Sequence, residues 1–167
     1  MTIRQAGVNG FEPWTHDRHY RHQGPLWRER EIEREEAEGR GVAVAVGVLT
    51  KNLKDVERYV ERHLAQRVSK ILVVEAEPEP SNTVIVDGNH AFALAQALKV
   101  LIEARDTAEQ AEDLHLFIAS PGAFAFYLGQ LSRGFGAMQL YEFDFEASGE
   151  RNYVPSLRIV PEQGGRR

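Results

Sequence analysis

Two uninterrupted apolar runs and three broken ones set the plan of the chain. Residues 42–49 (VAVAVGVL) are apolar on both faces, the pattern of a central strand covered by helices on each side. Residues 70–76 (KILVVEA) give a second buried strand. In a third run Leu114, Leu116 and Ile118 alternate with His115 and Phe117, and the run stops at Ala119-Ser120-Pro121-Gly122. Residues 138–143 and 153–160 supply two more strands, separated by a turn around Ser148-Gly149. Between these runs the period becomes helical. Leu53, Val56, Val60 and Leu64 mark one amphipathic helix. Ala91, Leu94, Ala95, Leu98, Leu101 and Ile102 mark the inner face of a second, over 90–105, capped by Asp87-Gly88-Asn89. Phe124, Leu128 and Leu131 mark a third, with Ser120 as N-cap, Pro121 in the first turn, and Gly134 and Gly136 as the stop. Strands alternating with helices predict a three-layer, Rossmann-like α/β unit with a mostly parallel sheet.

Four stretches fall outside that alternation. Residues 1–24 hold no sustained period and read as an extended arm whose Trp14 and Tyr20 pack on the domain. Residues 25–38 (PLWREREIEREEAE) predict a solvated helix: Pro25 suits its first turn, Glu and Arg recur at i,i+3 and i,i+4, and Trp27 anchors it with Leu26 and Ile32. Residues 78–82 read as a turn into a short strand at 83–86, which forms a hairpin with 70–76. Residues 107–113 are an acidic connector and 161–167 a disordered tail. The expected division is therefore an arm and charged helix over 1–40, one α/β unit over 41–160, and the tail.

Composition narrows the function. The 167 residues suit one domain. There is no cysteine, which removes disulfides, thiolate metal sites and cysteine nucleophiles. No signal-peptide core or membrane-length apolar run is present, so a cytoplasmic protein without a membrane partner is expected. A net charge of −5, from 25 acidic and 20 basic residues, argues against tracking duplex nucleic acid but leaves room for a small nucleotide in a local pocket.

The candidate chemistry gathers where strands end and helices begin. Thr50, Lys51 and Asn52 follow the first strand directly, at the carboxyl edge of the sheet, where open α/β folds bind ligands and helix N–H groups attract phosphate. Plain helix capping by Thr50 or Asn52 is the competing role. Ser120, Pro121, Gly122 and Phe124 occupy the equivalent turn after the third run. Together they offer a cation for phosphate, backbone donors, and an aromatic ring, although Phe124 also opens a core stripe. Asn89 and His90 reach the same edge or simply cap a helix, depending on the direction of 83–86. Catalytic patterns are missing: there is no Walker A loop and no dinucleotide fingerprint. ASPGA lacks G-x-S-x-G and places proline after the serine, deleting the N–H an oxyanion hole uses. His115 reads as a packed or surface histidine. His16, His19 and His22 stand three apart, but that spacing drifts around a helix, and no further His and Asp ligands complete a metallohydrolase set. No metal or cofactor is expected.

The segments GVAVAVGVLTKNLKDVERYV, GNHAFALAQALKVLIEA, HLFIASPGAFAFYLG, QLYEF and YVPSLRI, in this order, resemble the SAVED domain. SAVED is a CARF-related sensor of the CBASS and type III CRISPR anti-phage systems. The likeness covers roughly 41–160 and implies binding of a cyclic oligonucleotide, a cyclic tri- or tetra-adenylate foremost, at Thr50, Lys51, Asn52, Ser120, Pro121, Gly122 and Phe124. It also implies self-assembly, as a dimer or filament, and a separate effector. SAVED sensors usually join two Rossmann-like units, whereas 167 residues hold one. Two rival functions are a ring nuclease acting on the same messenger, and a structural subunit that binds no nucleotide.

Overall fold

A computed structural model describes residues 3–7, 10–50, 53–144 and 152–161. Among them, a hairpin of β1 (Ile3–Gly7) and β2 (Gly10–Trp14) precedes a mixed sheet of six strands. These are β3 (Trp27–Glu33), β4 (Gly41–Gly47), β5 (Val68–Ala76), β6 (Leu114–Ala119), β7 (Met138–Asp144) and β8 (Asn152–Ile159), in the spatial order β3-β5-β4-β6-β7-β8. The middle four run parallel, while β3 and β8 flank them antiparallel. The helices are α1 (Lys54–His63), α2 (Gly88–Glu103), the short α3 (Thr107–Gln110) and α4 (Gly122–Leu131), followed by a 3-10 turn (Ser132–Gly134). From β4 the chain crosses through α1 to β5 on one side, and from β5 it returns through α2 and α3 to β6 on the other. The direction of winding therefore reverses between β4 and β6, which opens the crevice where such sheets hold ligands.

The two-faced run of β4 explains the layers. Val42, Val44, Val46 and Val48 face the core built with α2 and α4, where Leu94, Leu98, Phe124 and Tyr127 are buried. Ala43 and Ala45 face α1, whose Val56, Tyr59 and Val60 pack with Phe117, Tyr141 and Tyr153. Period-two alternation in a strand covered on both sides leaves no polar position. The buried Arg105 ties the end of α2 to the approach of β7, donating to the carbonyls of Ile102 at 2.9 Å and Phe135 at 2.5 Å.

Several expectations are corrected. The charged stretch 25–38 is not a helix: residues 27–33 form the edge strand β3, paired antiparallel with β5 from Trp27↔Ala76 to Glu33↔Lys70. Its charges pair across elements instead of along a helix, as in Arg30–Glu57 at 2.8 Å and Arg28–Glu75 at 3.5 Å. Charged side chains are a usual guard on an exposed sheet edge. Residues 83–86 are not a strand. Both edges of β5 are already taken, by β3 and β4, so no hairpin partner remains, and Val84 and Ile85 are buried side by side in the core. The arm is more ordered than expected: it carries the β1–β2 hairpin, and Trp14 is buried while Tyr20 stacks on His90 at 4.3 Å. The connector holds α3, closed by a capping box between Asp106 and Glu109. Of the tail only Pro161 falls among the described residues.

Candidate functional site

The loops after β4 and β6 meet at the crevice. The N–H groups of Val48 and Leu49 both donate to the carbonyl of Ala119, at 2.9 and 3.0 Å, and Ser81 N–H donates to the Val48 carbonyl at 2.9 Å. Gly47 is required for this turn, because a Cβ there would meet the Thr50 carbonyl oxygen at 2.5 Å. Thr50 and Ser120, far apart in sequence, thus stand on adjoining loops. They line one cleft of about 630 Å³ at the carboxyl ends of β4, β6 and β7, a volume in the usual range for small-ligand sites.

The sequence-predicted residues divide at this cleft. Thr50 and Ser120 line it. Pro121 and Gly122 follow at the start of α4, where the space beside the Gly122 Cα is open. Ser120 is not the N-cap. Pro121 holds that position with extended ψ, and the Ser120 hydroxyl donates to the Pro121 carbonyl at 3.2 Å. Leu53 likewise holds the N-cap of α1 without a side-chain acceptor, so Thr50 does not cap it. Phe124 is fully buried, its ring edge-on to Trp27 at 5.8 Å; it belongs to the core and offers no face for stacking. Lys51 and Asn52 lie outside the described residues.

The cleft also holds groups that sequence reasoning missed. Asp55 enters from the first turn of α1, Glu142 and Phe143 from β7, and Tyr153 from β8. Their convergence is a product of the β7–β8 pairing, in which Phe143 stands opposite Tyr153; no local motif announces it. Burial, with help from the Asp55 charge, pushes the Tyr153 phenol up to about 12, so it stays protonated. Below the cleft His115 is buried against Tyr141, its Nδ1 2.8 Å from the phenol oxygen, and burial lowers its pKa to about 4.

Asn89 and His90 lie on the carboxyl side of the sheet, since α2 follows β5, but both are engaged by the arm. Asp87 caps α2 by accepting the His90 N–H at 2.8 Å. The Asn89 side chain accepts the Arg18 N–H at 2.9 Å. Of the three arm histidines, His16 stacks on Phe92 and His22 Nδ1 sits 2.8 Å from the Gly24 carbonyl. Among the described residues no group of three His, Asp or Glu is placed to hold a metal, and no helix is long and apolar enough to cross a membrane.

Residues 3–159 match the family model of the SMODS-associated and fused to various effectors sensor domain, SAVED. The chain belongs to the SAVED family. That match takes in β1, β2 and β3 as well as the strands after residue 41. A curated relative, CD-NTase-associated protein 4 of Enterobacter hormaechei, is 29% identical over 121 residues, which are 72% of this chain and 24% of the relative. Solved structures of the Acinetobacter baumannii Cap4 SAVED/CARF-domain containing receptor share the fold. The form with 3'3'3'-cAAA aligns at TM-score 0.67 and 20% identity over 95% of this SAVED chain, and the form with 2'3'3'-cAAA at 0.68 and 20% over 96%. This chain spans about a quarter of the curated relative and about a third of those receptors.

Proposed function

We propose that this SAVED unit senses a cyclic oligonucleotide at the carboxyl-edge cleft, in the cytoplasm, and signals in anti-phage defence by self-association and activation of an effector. The observation that carries the reading is the cleft at the reversal of winding, bounded by Thr50 and Ser120 on loops joined through the Ala119 carbonyl. The start of α4 lies two residues beyond Ser120, and helix N-termini favour phosphate. Lys51, next to Thr50 in the chain, supplies the cation. Receptors of the same fold hold cyclic tri-adenylates in two linkages, which supports a cyclic adenylate as ligand. Binding without turnover is the favoured chemistry, because the Ser120 hydroxyl is engaged by the Pro121 carbonyl and the residue after Ser120 has no N–H.

Self-association follows from size. One unit presents one carboxyl edge, and a cyclic trinucleotide on it leaves much of the ring in water. A second copy over the ring supplies the missing contacts, and a ligand held better by the assembly than by the monomer shifts the equilibrium toward assembly. Titration with 3'3'3'-cAAA by calorimetry, with sedimentation and chromatography of the ring afterwards, tests the whole reading. The expected result is an intact ring, tight binding and a larger species. Lys51→Ala should weaken binding by about ten- to a hundredfold, the loss of one charge-assisted contact of roughly 1.5–3 kcal/mol. A linearised ring would favour the nuclease reading, and absence of binding the structural-subunit reading; tight binding by a persistent monomer would overturn the assembly step.

A further inference from the structure

We propose that residues 15–26 form a strap latched onto the neutral ring of His90, and that protonation of this ring opens the strap. Its ends are fixed by Trp14 and Trp27, 5% and 4% exposed in the core. Between them the chain forms neither helix nor strand, and residues 17–19 and 21–25 are exposed. The middle is held on α2 by contacts from the arm: the Arg18 N–H donates to the Asn89 side chain at 2.9 Å, His16 stacks on Phe92 at 4.6 Å, and Tyr20 lies flat on His90, with centroids 4.3 Å apart and planes at 5°. Gly24, with φ +86°, makes the turn toward β3 in a backbone conformation that favours glycine. With both ends anchored, the middle can lift without unfolding the sheet, and lifting uncovers Asn89 and His90 on its carboxyl side.

His90 is the contact that answers to pH. Its ring is 5% exposed, and its Nδ1 accepts the Val86 N–H at 3.4 Å. A backbone N–H only donates, so Nδ1 is the bare nitrogen of a neutral ring. A proton placed there sets two N–H groups against each other in a site shielded from water. Asp87, at the start of α2, favours the proton, although its carboxylate already accepts the His90 N–H at 2.8 Å. His22 of the strap opposes it, its ring aligned with Tyr20 at 6.4 Å. Arg21 of the strap and Glu77, just after β5, line the same pocket with opposite charges. Stacking on Tyr20 does not itself resist a charge, since a cation sits well on an aromatic face. Burial is the larger influence, and with His22 it holds His90 below its ordinary 6.5. A lifted strap leaves the ring in water, where it titrates near that ordinary value. The lifted form then binds more protons than the docked one and gains on it as pH falls.

The experiment follows hydrogen exchange of the Arg18 amide by NMR from pH 7.5 to 5.5, corrected for the intrinsic pH dependence of exchange, in wild-type and His90→Phe proteins. The amide of Val44, in the central strand β4, reports global unfolding in the same samples. In the wild type, Arg18 protection should fall with pH, by up to about tenfold per pH unit, the limit for one proton, while Val44 stays better protected throughout. His90→Phe keeps a ring on Tyr20 but cannot take up a proton, so its Arg18 profile should be flat. A flat wild-type profile, the wild-type fall kept in His90→Phe, or equal protection of Arg18 and Val44 overturns the strap. The ring signals of His90 in the wild type guard against a variant that does not fold. They should titrate below the ordinary 6.5 and in step with Arg18 exchange; titration at the ordinary value while Arg18 stays protected overturns the latch.

Discussion

Replacing Trp27 by alanine should cost about 3–5 kcal/mol, the usual loss for removing a large aromatic side chain from a core. Trp27 is 4% exposed, donates from Nε1 to the Leu94 carbonyl at 3.0 Å and meets Phe124 edge-on. It is the one residue of β3 buried in the layer formed with α2 and α4, so its loss loosens an edge strand as well as leaving a cavity. Against a typical total stability of about 5–15 kcal/mol, that is a large fraction. Urea titration of wild-type, Trp27→Ala and Trp27→Phe proteins measures it. Trp27→Phe keeps most of the apolar area and gives up chiefly one hydrogen bond, for roughly 0.5–1.5 kcal/mol. A loss below about 1 kcal/mol for Trp27→Ala would mean that 27–33 is no part of the sheet, since a tryptophan on a solvated helix makes no comparable contacts.

The same stretch shows where the sequence was legible and where it was not. Glu and Arg have high helix propensity and suggest helical ion pairs, but propensity yields to burial. The informative feature is that Trp27 and Ile32 are five apart. On a helix that spacing leaves them about 140° from each other, while on a strand it sends them to opposite faces, which is how they lie: Trp27 toward α2 and α4, Ile32 toward α1. Runs that satisfy both layers by themselves, as in β4 and β6, were readable because their pattern admits few alternatives. The turns after them were readable as carboxyl-edge positions, since a strand followed at once by a helix fixes that edge. The rest of the cleft was not. Asp55 is an ordinary first-turn acid by sequence, and Phe143 and Tyr153 are brought together only by the antiparallel return of β8. Phe124 misled in the other direction, for an aromatic beside a turn suits stacking until the packing of α4 against α2 buries it.

Stability should fall by about 3 kcal/mol between pH 6.5 and pH 4 through His115 alone. Its ring is 5% exposed, and burial lowers its pKa from 6.5 to about 4. Asp113 opposes that shift, and Arg67 adds to it. In the unfolded chain the ring takes its proton near the ordinary value, so between the two pH values the unfolded state binds more protons than the folded one. Stability then rises with pH across that window. Above pH 6.5 the neutral ring costs nothing in either state; below pH 4 the fold must accept an imidazolium beside Tyr141 in a layer of aromatic rings. About 2.5 pKa units at 1.36 kcal/mol each give the size of the loss. Carboxylates titrate in the lower part of the same range, so the measurement must be a difference. Denaturation from pH 4 to 8 of wild-type protein and of His115→Leu/Tyr141→Phe isolates the histidine, and changing both partners leaves no orphaned phenol in the core. The wild-type slope should exceed that of the double variant across pH 4–6.5 and match it above pH 7. Identical slopes throughout would show that His115 takes up its proton in the fold as readily as in the unfolded chain, and that burial does not hold the ring neutral.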